Sequence, residues 1–565
     1  MMRICKCFLL ITLCLIAGCD SRPTPFYRAD QDTVFVRSAR ASTAMVVSAH
    51  PAASEAGVAT LRAGGNAADA AIAAVTALNV TEPHASGLGG GGFCLFYDAQ
   101  RDSFFVIDYR ERAPRGVDRT LYYSPADTLR RRLEHGATAV ATPGAPAGWQ
   151  AIVDRFCTKP LAELLGPAIA AADTGFVLTE KQVAILMDHL SDIESDPAIS
   201  AVFLDDGFPP EPGFRVKQPH LAATMRSLGA TSFTRLYRSP FAEDIVGAVR
   251  ARGGALSMDD LASYRVQVRR PLRGWYNGFE IITLPPPSLG GTALLEILRI
   301  AEKCDLKSKS YLSADYVHCL AAASRQALTD VNTWISDPDF DEQPVSSLLS
   351  DEWVTDVSRR LEQEGAGTHL SAWHESEKKA TGNTTHLVIV DSAGNIVSLT
   401  QSINDFYGAG VMAPRSGILL NNHMGDFSGD STRKNSVKPF HRPASNMAAT
   451  IVRKGGKPVL VIGSPGGPRI APAVAHVITA VLDGQLSLEN AIKAPRFFPR
   501  GNTLVLETRM PAGTVEGLRA RGWKIEMNGS TNAFFGGVHA IQIDTATGGL
   551  TGAADPRRDG APVGW

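Results

Sequence analysis

The stretch Thr381–Gly410, TGNTTHLVIVDSAGNIVSLTQSINDFYGAG, restricts the fold more than any other part of the chain. Two β-branched apolar runs, His386–Val390 and Ile396–Ile403, flank Asp391-Ser-Ala-Gly-Asn395. Strand formers on either side of an Asp/Gly/Asn turn predict a β-hairpin. A turn centred on Ala393 sets Val390 opposite Ile396 and Thr384 opposite Ser402. Directly opposed Cβ atoms lie about 5 Å apart, so two hydroxyls meet at the open end of the hairpin. Asn404, two residues further on, shares the face of Ser402.

A Thr hydroxyl is a weak nucleophile until a base removes its proton. One such base is the residue's own α-amine, released when the chain is cut just before it. That amine has a reference pKa of about 8, suited to general-base work near neutrality. Read alone, Thr384-Thr385 is an ordinary pair of strand residues, and only the rest of the chain makes it a nucleophile.

The first residues set the compartment. Arg3 and Lys6 precede the apolar run Cys7–Ile16, too short to span a bilayer, and Ala17-Gly18-Cys19 follows. This reads as a secretory signal over residues 1–18. Ile16-Ala-Gly-Cys19 resembles a bacterial lipobox, which implies a lipid-bearing Cys19 as the first mature residue. Cleavage by an ordinary signal peptidase is the alternative. Asp20 resembles the signal that retains lipoproteins at the inner membrane, so the expected location is the periplasmic side of that membrane. Residues 19–45 read as a polar tether. Cys94, Cys157, Cys304 and Cys319 are scattered, without a CxxC, so buried free thiols are expected rather than a disulfide framework or zinc site; a Cys304–Cys319 disulfide is the alternative.

With 565 residues, 44% hydrophobic and 20% charged, the chain has material for a large core, by length alone two to four domains. A net charge of −1, with Arg130-Arg-Arg132 as its one basic cluster, gives no footprint for nucleic acid. Val46–Pro51 reads as a strand entering a helix over Ala52–Ala63, followed by an Ala-rich helix over Ala67–Asn79. Ser86-Gly-Leu-Gly-Gly-Gly-Gly-Phe93 then feeds a strand, Phe93–Tyr97. No Lys-Ser/Thr follows these glycines, so they point to close backbone packing and not to a P-loop. The strand Ser103–Asp108 ends at Arg110, a residue type that clamps carboxylates bidentately but that taken alone reads as a structural ion-pair former. Gly148 to about Ala380 reads as mostly helical. Asp337-Pro-Asp-Phe-Asp341 lacks EF-hand spacing and reads as a capped turn. His386, His423 and His441 have no metal-site spacing, so neither metal nor cofactor is expected. Ser416–Asp426 is a strand entering a polar loop, and Val459–Ile462 a buried strand. Gly463-Ser-Pro-Gly-Gly467 precedes a helix over Ile470–Leu482, where backbone N–H groups suit an anion.

Taken together these segments resemble the γ-glutamyltransferase (γ-glutamyltranspeptidase) family of N-terminal-nucleophile hydrolases. The resemblance rests on Val47-Ser-Ala-His-Pro51, Gly64-Gly-Asn-Ala-Ala-Asp69, Gly89-Gly-Gly-Gly-Phe93 and Asp108-Tyr-Arg-Glu111. It continues through Asp337-Pro-Asp-Phe340, Thr384-Thr-His386, Gly417-Ile-Leu-Leu-Asn-Asn422, Gly463-Ser-Pro-Gly-Gly467 and Ala554-Asp-Pro-Arg557. It implies an α+β, four-layer αββα sandwich from a proenzyme that cuts itself between Asn383 and Thr384. A large chain (46–383, behind its tether) and a small chain (384–565) would stay together as a heterodimer. Thr384 would take the acyl group of a γ-glutamyl amide such as glutathione and pass it to water or an amine. The resemblance assigns Gly466 and Gly467 to the oxyanion hole, Arg110 and Ser445 to the α-carboxylate, and Asn404 and Asp426 to the α-amine. Ser402 stands where the family usually has Thr.

Three positions depart from the family pattern. His423 stands where the amine site usually has Gln or Glu, and a protonated His repels an ammonium. Asn446 replaces the second of two adjacent Ser residues at the carboxylate end. The segment from Asp426 to Ser445 leaves little room for a lid, which favours hydrolysis. The runner-up reading is therefore a relative acting on other amides, cephalosporin-acylase-like or cleaving γ-linked peptides. A binding lipoprotein that has lost catalysis is the third.

Overall fold

The computed structural model describes residues 34–123, 132–363 and 383–565. The signal segment 1–18, Cys19, the tether as far as residue 33, and Arg130 and Arg131 lie outside the described residues. The tether expected over 19–45 does not extend that far: Arg37–Ala41 is strand β1, paired antiparallel with Leu550–Ala554. Its sequence, Arg-Ser-Ala-Arg-Ala, has no β-branched residue, and it is largely exposed at a sheet edge, so neither propensity nor burial marks it.

The remaining strands of two seven-stranded sheets are β2 (Met45–Ser48), β3 (Gly91–Asp98), β4 (Ser103–Asp108), β5 (Gln267–Arg269), β6 (Leu272–Tyr276) and β7 (Phe279–Thr283). They continue as β8 (Asn383–Val390), β9 (Ile396–Asn404), β10 (Thr450–Lys454), β11 (Lys457–Gly463), β12 (His539–Ile543), β13 (Leu550–Ala554) and β14 (Ala561–Gly564). The first sheet runs β14-β2-β8-β9-β3-β4-β5 and the second β1-β13-β12-β11-β10-β7-β6. The expected hairpin is β8–β9, at the middle of the first sheet.

Alternation along β8 sorts its side chains between two layers. Val388 and Val390 point into a core shared with Phe93 and Leu95 of their own sheet and with Ile282, Ile451, Val461 and Ile541 of the second. Leu387 and Ile389 point the other way, onto α1 (Pro51–Arg62), α2 (Ala67–Thr81) and α3 (Ala145–Phe156). The second sheet buries Ile281, Val452, Leu460 and Ile462 against α4 (Leu289–Lys303), α5 (Ala314–Trp334) and α6 (Ile470–Leu482). Helix, sheet, sheet, helix is the four-layer αββα arrangement. Each fully buried Val, Leu or Ile contributes about 1.5–3 kcal/mol, which is why strands with two apolar faces lie at the centre.

The region from Gly148 onward is less uniformly helical than its sequence indicates, because β5, β6 and β7 lie within it. They are only three to five residues long, and the first two carry Arg269, Arg273 and Gly274 among few β-branched residues. Their signal is the turn Asn277-Gly278, with φ +46° and +79°, a hairpin dipeptide between β6 and β7. Asp337–Asp341 forms a turn in which Asp337 Oδ1 accepts from the Asp339 N–H at 3.0 Å, and its other oxygen accepts from the Arg442 N–H at 2.7 Å. Cys94 and Cys157 are free thiols, and Cys304 and Cys319 are not bonded to each other.

Candidate active site

The hairpin register is the expected one over most of its length: Val390 faces Ile396 and Thr384 faces Ser402. It slips at the open end, where Asn383 pairs with Asn404 and Ile403 is left out as a bulge. Asn404 adopts φ +79° and points its Nδ2 to the Asn422 carbonyl at 3.2 Å, so simple alternation does not carry its side chain onto the face of Ser402. Its main chain stays close, with the Asn404 N–H donating to Ser402 Oγ at 2.7 Å.

Three groups converge on the Ser402 hydroxyl. It donates to the main-chain carbonyl of Asn383 at 2.7 Å, accepts from the Asn404 N–H, and receives the Thr384 hydroxyl at 3.4 Å. Thr384 is only 5% exposed. The Thr384 hydroxyl, the Ser402 hydroxyl and the carbonyl of the peptide bond before Thr384 therefore share one buried site. The glycine run makes the approach feasible: a Cβ on Gly90 would stand 2.1 Å from the Ser402 carbonyl oxygen, and one on Gly89 1.9 Å from that of Leu419.

The second sheet delivers the Gly463–Gly467 turn to the same end of β8. His386, two residues from Thr384 and on its face, lies flat against Gly463, where any Cβ would sit 2.2 Å from the ring. Burial drives the His386 pKa well below its ordinary value, so the ring is neutral; Nδ1 lies 2.8 Å from Thr400 Oγ1. Gly466 and Gly467 have φ +133° and +56°, conformations that favour glycine, and open the turn leading to α6. The Ser464 hydroxyl accepts from the Gly537 N–H at 3.1 Å and bolts this turn to the loop before β12.

Around Arg110 the structure builds a charged cluster. The guanidinium donates to Asp426, to Glu111 at 3.3 Å, and to the carbonyls of Pro443 and Ala444 at 3.1 Å each. Its side chain is fully buried, while that of Asp426 is 24% exposed. His423 is turned inward, with Nδ1 2.8 Å from Glu111 Oε1, a contact that lacks the alignment of a full hydrogen bond. It thus points at Glu111, a residue not singled out in the sequence. Ser445 is buried, its hydroxyl accepting from the Met447 N–H at 3.4 Å; Asn446 beside it is half-buried. Asp405 is a further member: Asn422 Nδ2 donates to it at 2.9 Å, and burial, with the nearby Asp426 charge, raises its pKa. Among the described residues no group of His, Cys, Asp and Glu is arranged to hold a metal ion.

The family model for gamma-glutamyltranspeptidase matches residues 53–565. The chain belongs to the γ-glutamyltranspeptidase family. An acylase ACY 1 proenzyme of Pseudomonas sp. (strain SE83) is 36% identical over 96% of this chain and 97% of its own. A glutathione hydrolase proenzyme of Pseudomonas sp. (strain A14) is 36% identical over 81% of each. Among solved structures, a cephalosporin acylase from Bacillus halodurans matches with a TM-score of 0.83 at 28% identity, over 97% of this chain and 98% of that one. The sandwich is accordingly that of the N-terminal-nucleophile hydrolases, and this γ-glutamyltranspeptidase-family chain is an enzyme. Glu111 and Asn422 close two of the motifs and Asp405 follows Asn404, but only the fold shows that they touch Arg110, His423 and one another's neighbours.

Proposed function

We propose that this chain is a self-processing γ-glutamyl hydrolase and transferase with Thr384 as its nucleophile. The observation that carries the reading is the convergence of Thr384 Oγ1, Ser402 Oγ and the Asn383 carbonyl at one point. In the uncut chain Thr384 Oγ1 attacks the Asn383 carbonyl carbon, and the Ser402 donor stabilises charge developing on the oxygen. The C–N bond breaks, the nitrogen takes up the proton, and water hydrolyses the resulting ester. Asn383 is left as a carboxylate and Thr384 with a free amine and hydroxyl. That amine is then the base for each turnover, with the N–H groups of Gly466 and Gly467 assigned to the substrate oxyanion. The acyl-enzyme is resolved by water or by an amine acceptor.

The head group follows from the Arg110–Asp426 pair. A zwitterionic α-amino acid exchanges this one ion pair for two: its carboxylate takes Arg110, beside Ser445 and Asn446, and its ammonium takes Asp426, beside Asn404. A glutaryl head has no amine and leaves Asp426 unmatched, which favours γ-glutamyl amides, glutathione among them. The acylase reading keeps one specific support: His423 is held against Glu111 and offers the amine nothing.

Two measurements test this. Intact mass and denaturing electrophoresis should show two chains for wild type, the smaller beginning at Thr384, and one uncut chain for Thr384→Ala. γ-Glutamyl-p-nitroanilide should then be hydrolysed at least tenfold faster than its glutaryl analogue; the reverse order would assign the enzyme to the acylases. We also propose export and lipid attachment at Cys19. Labelling of wild type by a radioactive fatty acid, lost in Cys19→Ser, is the expected result.

A further inference from the structure

The residue before the cut is approached from two sides. Its main-chain carbonyl accepts from Ser402 on the face of β8 that looks between the sheets, and its side-chain Oδ1 lies 3.5 Å from Arg558 Nη2. Arg558 is buried, with its guanidinium over the Phe406 ring at 5.5 Å to the centroid. Phe406 belongs to the core between the first sheet and its helices, so Arg558 reaches Asn383 from the helix side. Glu82, at the end of α2, is buried within electrostatic range of the guanidinium.

Arg558 stands apart from its neighbour in sequence. Arg557 is fully matched, bidentate to Glu507 at 2.7 Å and bonded to Asp555 at 2.9 Å. Around the bond to be cut, polar groups are left over instead. Among the described residues Asn383 Nδ2, Arg558 Nε and Glu82 Oε2 are buried without a hydrogen-bond partner. Buried polar atoms are nearly always paired, and orphans on both Asn383 and the guanidinium that reaches it mark a place where structure yields to chemistry. The bulge adds a second reason for a side-chain grip. With Ile403 looped out between the pairs Thr384–Ser402 and Asn383–Asn404, the ladder is irregular at the scissile bond.

We propose that Arg558 is a positioning residue for self-cleavage. It holds the side chain of Asn383 while Ser402 holds its carbonyl, so that the Asn383–Thr384 bond is presented to Thr384 Oγ1 in one orientation. Fixing a reacting group at two points is the kind of restraint that speeds an intramolecular attack by orders of magnitude. Arg558 has no part in turnover once the chain is cut.

This rests on the reading that the chain cuts itself before Thr384, and the experiment separates the two. The full-length protein is pulse-expressed, and splitting is followed by denaturing electrophoresis for wild type, Arg558→Ala, Arg558→Lys, Asn383→Ala and Arg558→Ala/Asn383→Ala. A wild type that never splits overturns the underlying reading. With wild type splitting, Arg558→Ala and Asn383→Ala should each slow the step about tenfold or more. The double variant should be no slower than the slower single variant, and Arg558→Lys should recover part of the rate. The split fraction of Arg558→Ala should hydrolyse γ-glutamyl-p-nitroanilide with kcat and KM within twofold of wild type. Splitting of Arg558→Ala at the wild-type rate, or slowing that multiplies in the double variant, overturns the proposal. Thermal unfolding in the uncut Thr384→Ala background checks that Arg558→Ala folds. If it does not, Arg558→Lys with Asn383→Ala carries the same test of additivity.

Discussion

Ser402 shows how much can depend on one hydroxyl: it donates to the Asn383 carbonyl while accepting from the Asn404 N–H and from Thr384. Removing a hydrogen-bond donor from a developing oxyanion costs about 10²–10³ in rate. Ser402→Ala should therefore slow splitting by about that factor, with Ser402→Thr close to wild type, read by electrophoresis over time. Glu82 gives a pH dependence of definite sign. Burial holds its carboxyl up at about 7, against the pull of the Arg558 charge. Between its ordinary value of 4.5 and about 7 the folded chain keeps a proton that the unfolded chain has lost. This group thus makes stability fall as pH rises through that window. In the Thr384→Ala background, Glu82→Gln should gain up to about 3 kcal/mol relative to its parent between pH 5 and pH 8, measured by chemical denaturation. Neither Glu82 nor Arg558 was legible in the sequence. Each lies far along the chain from Thr384, and only burial against β8 gives it meaning.

Among the elements, the β8–β9 hairpin was the most legible, because period-two alternation and a polar turn fix register once one face is buried. Its last pair was not. A bulge has no composition of its own, and Asn404 turned out to have φ +79° in place of an extended backbone. The glycine run points to close packing, and the structure gives the contacts. At Gly90 a Cβ would meet a carbonyl of the neighbouring strand, and no side-chain rotation relieves that contact. Gly90→Ala should destabilise by about 3 kcal/mol or more, at the upper end of overpacking costs. It should also slow splitting, because the displaced strand carries Ser402. Unfolding of the uncut variant and a splitting time course would show both effects. A normal splitting rate at unchanged stability would mean that β3 can move away from β9 freely.

At the scale of the whole molecule, the position of the proposed cut matters more than its chemistry. In the first sheet β8, β9 and β14 come after Thr384 or contain it, while β2, β3, β4 and β5 come before, and β2 lies between β14 and β8. In the second sheet β10 to β13 follow Thr384 in the chain and are flanked by β1 on one side and by β7 and β6 on the other. Each half thus completes the sheets of the other, and neither has a core of its own: Val388, Val461 and Ile541 pack with Phe93, Leu95 and Ile282 across the boundary. The layers could be named from the sequence, but this interleaving depends on long-range pairings such as Ala561–Gly564 with β2, which leave no local trace. Separating the halves would expose both faces of both sheets at once, at a cost far above the 5–15 kcal/mol that holds an ordinary domain together. The processed enzyme should therefore elute from gel filtration as one species containing both chains, through high salt and sub-denaturing urea. The chains should part only in the transition that abolishes activity. Two chains separating while circular dichroism still reports folded protein would contradict the interleaved sheets.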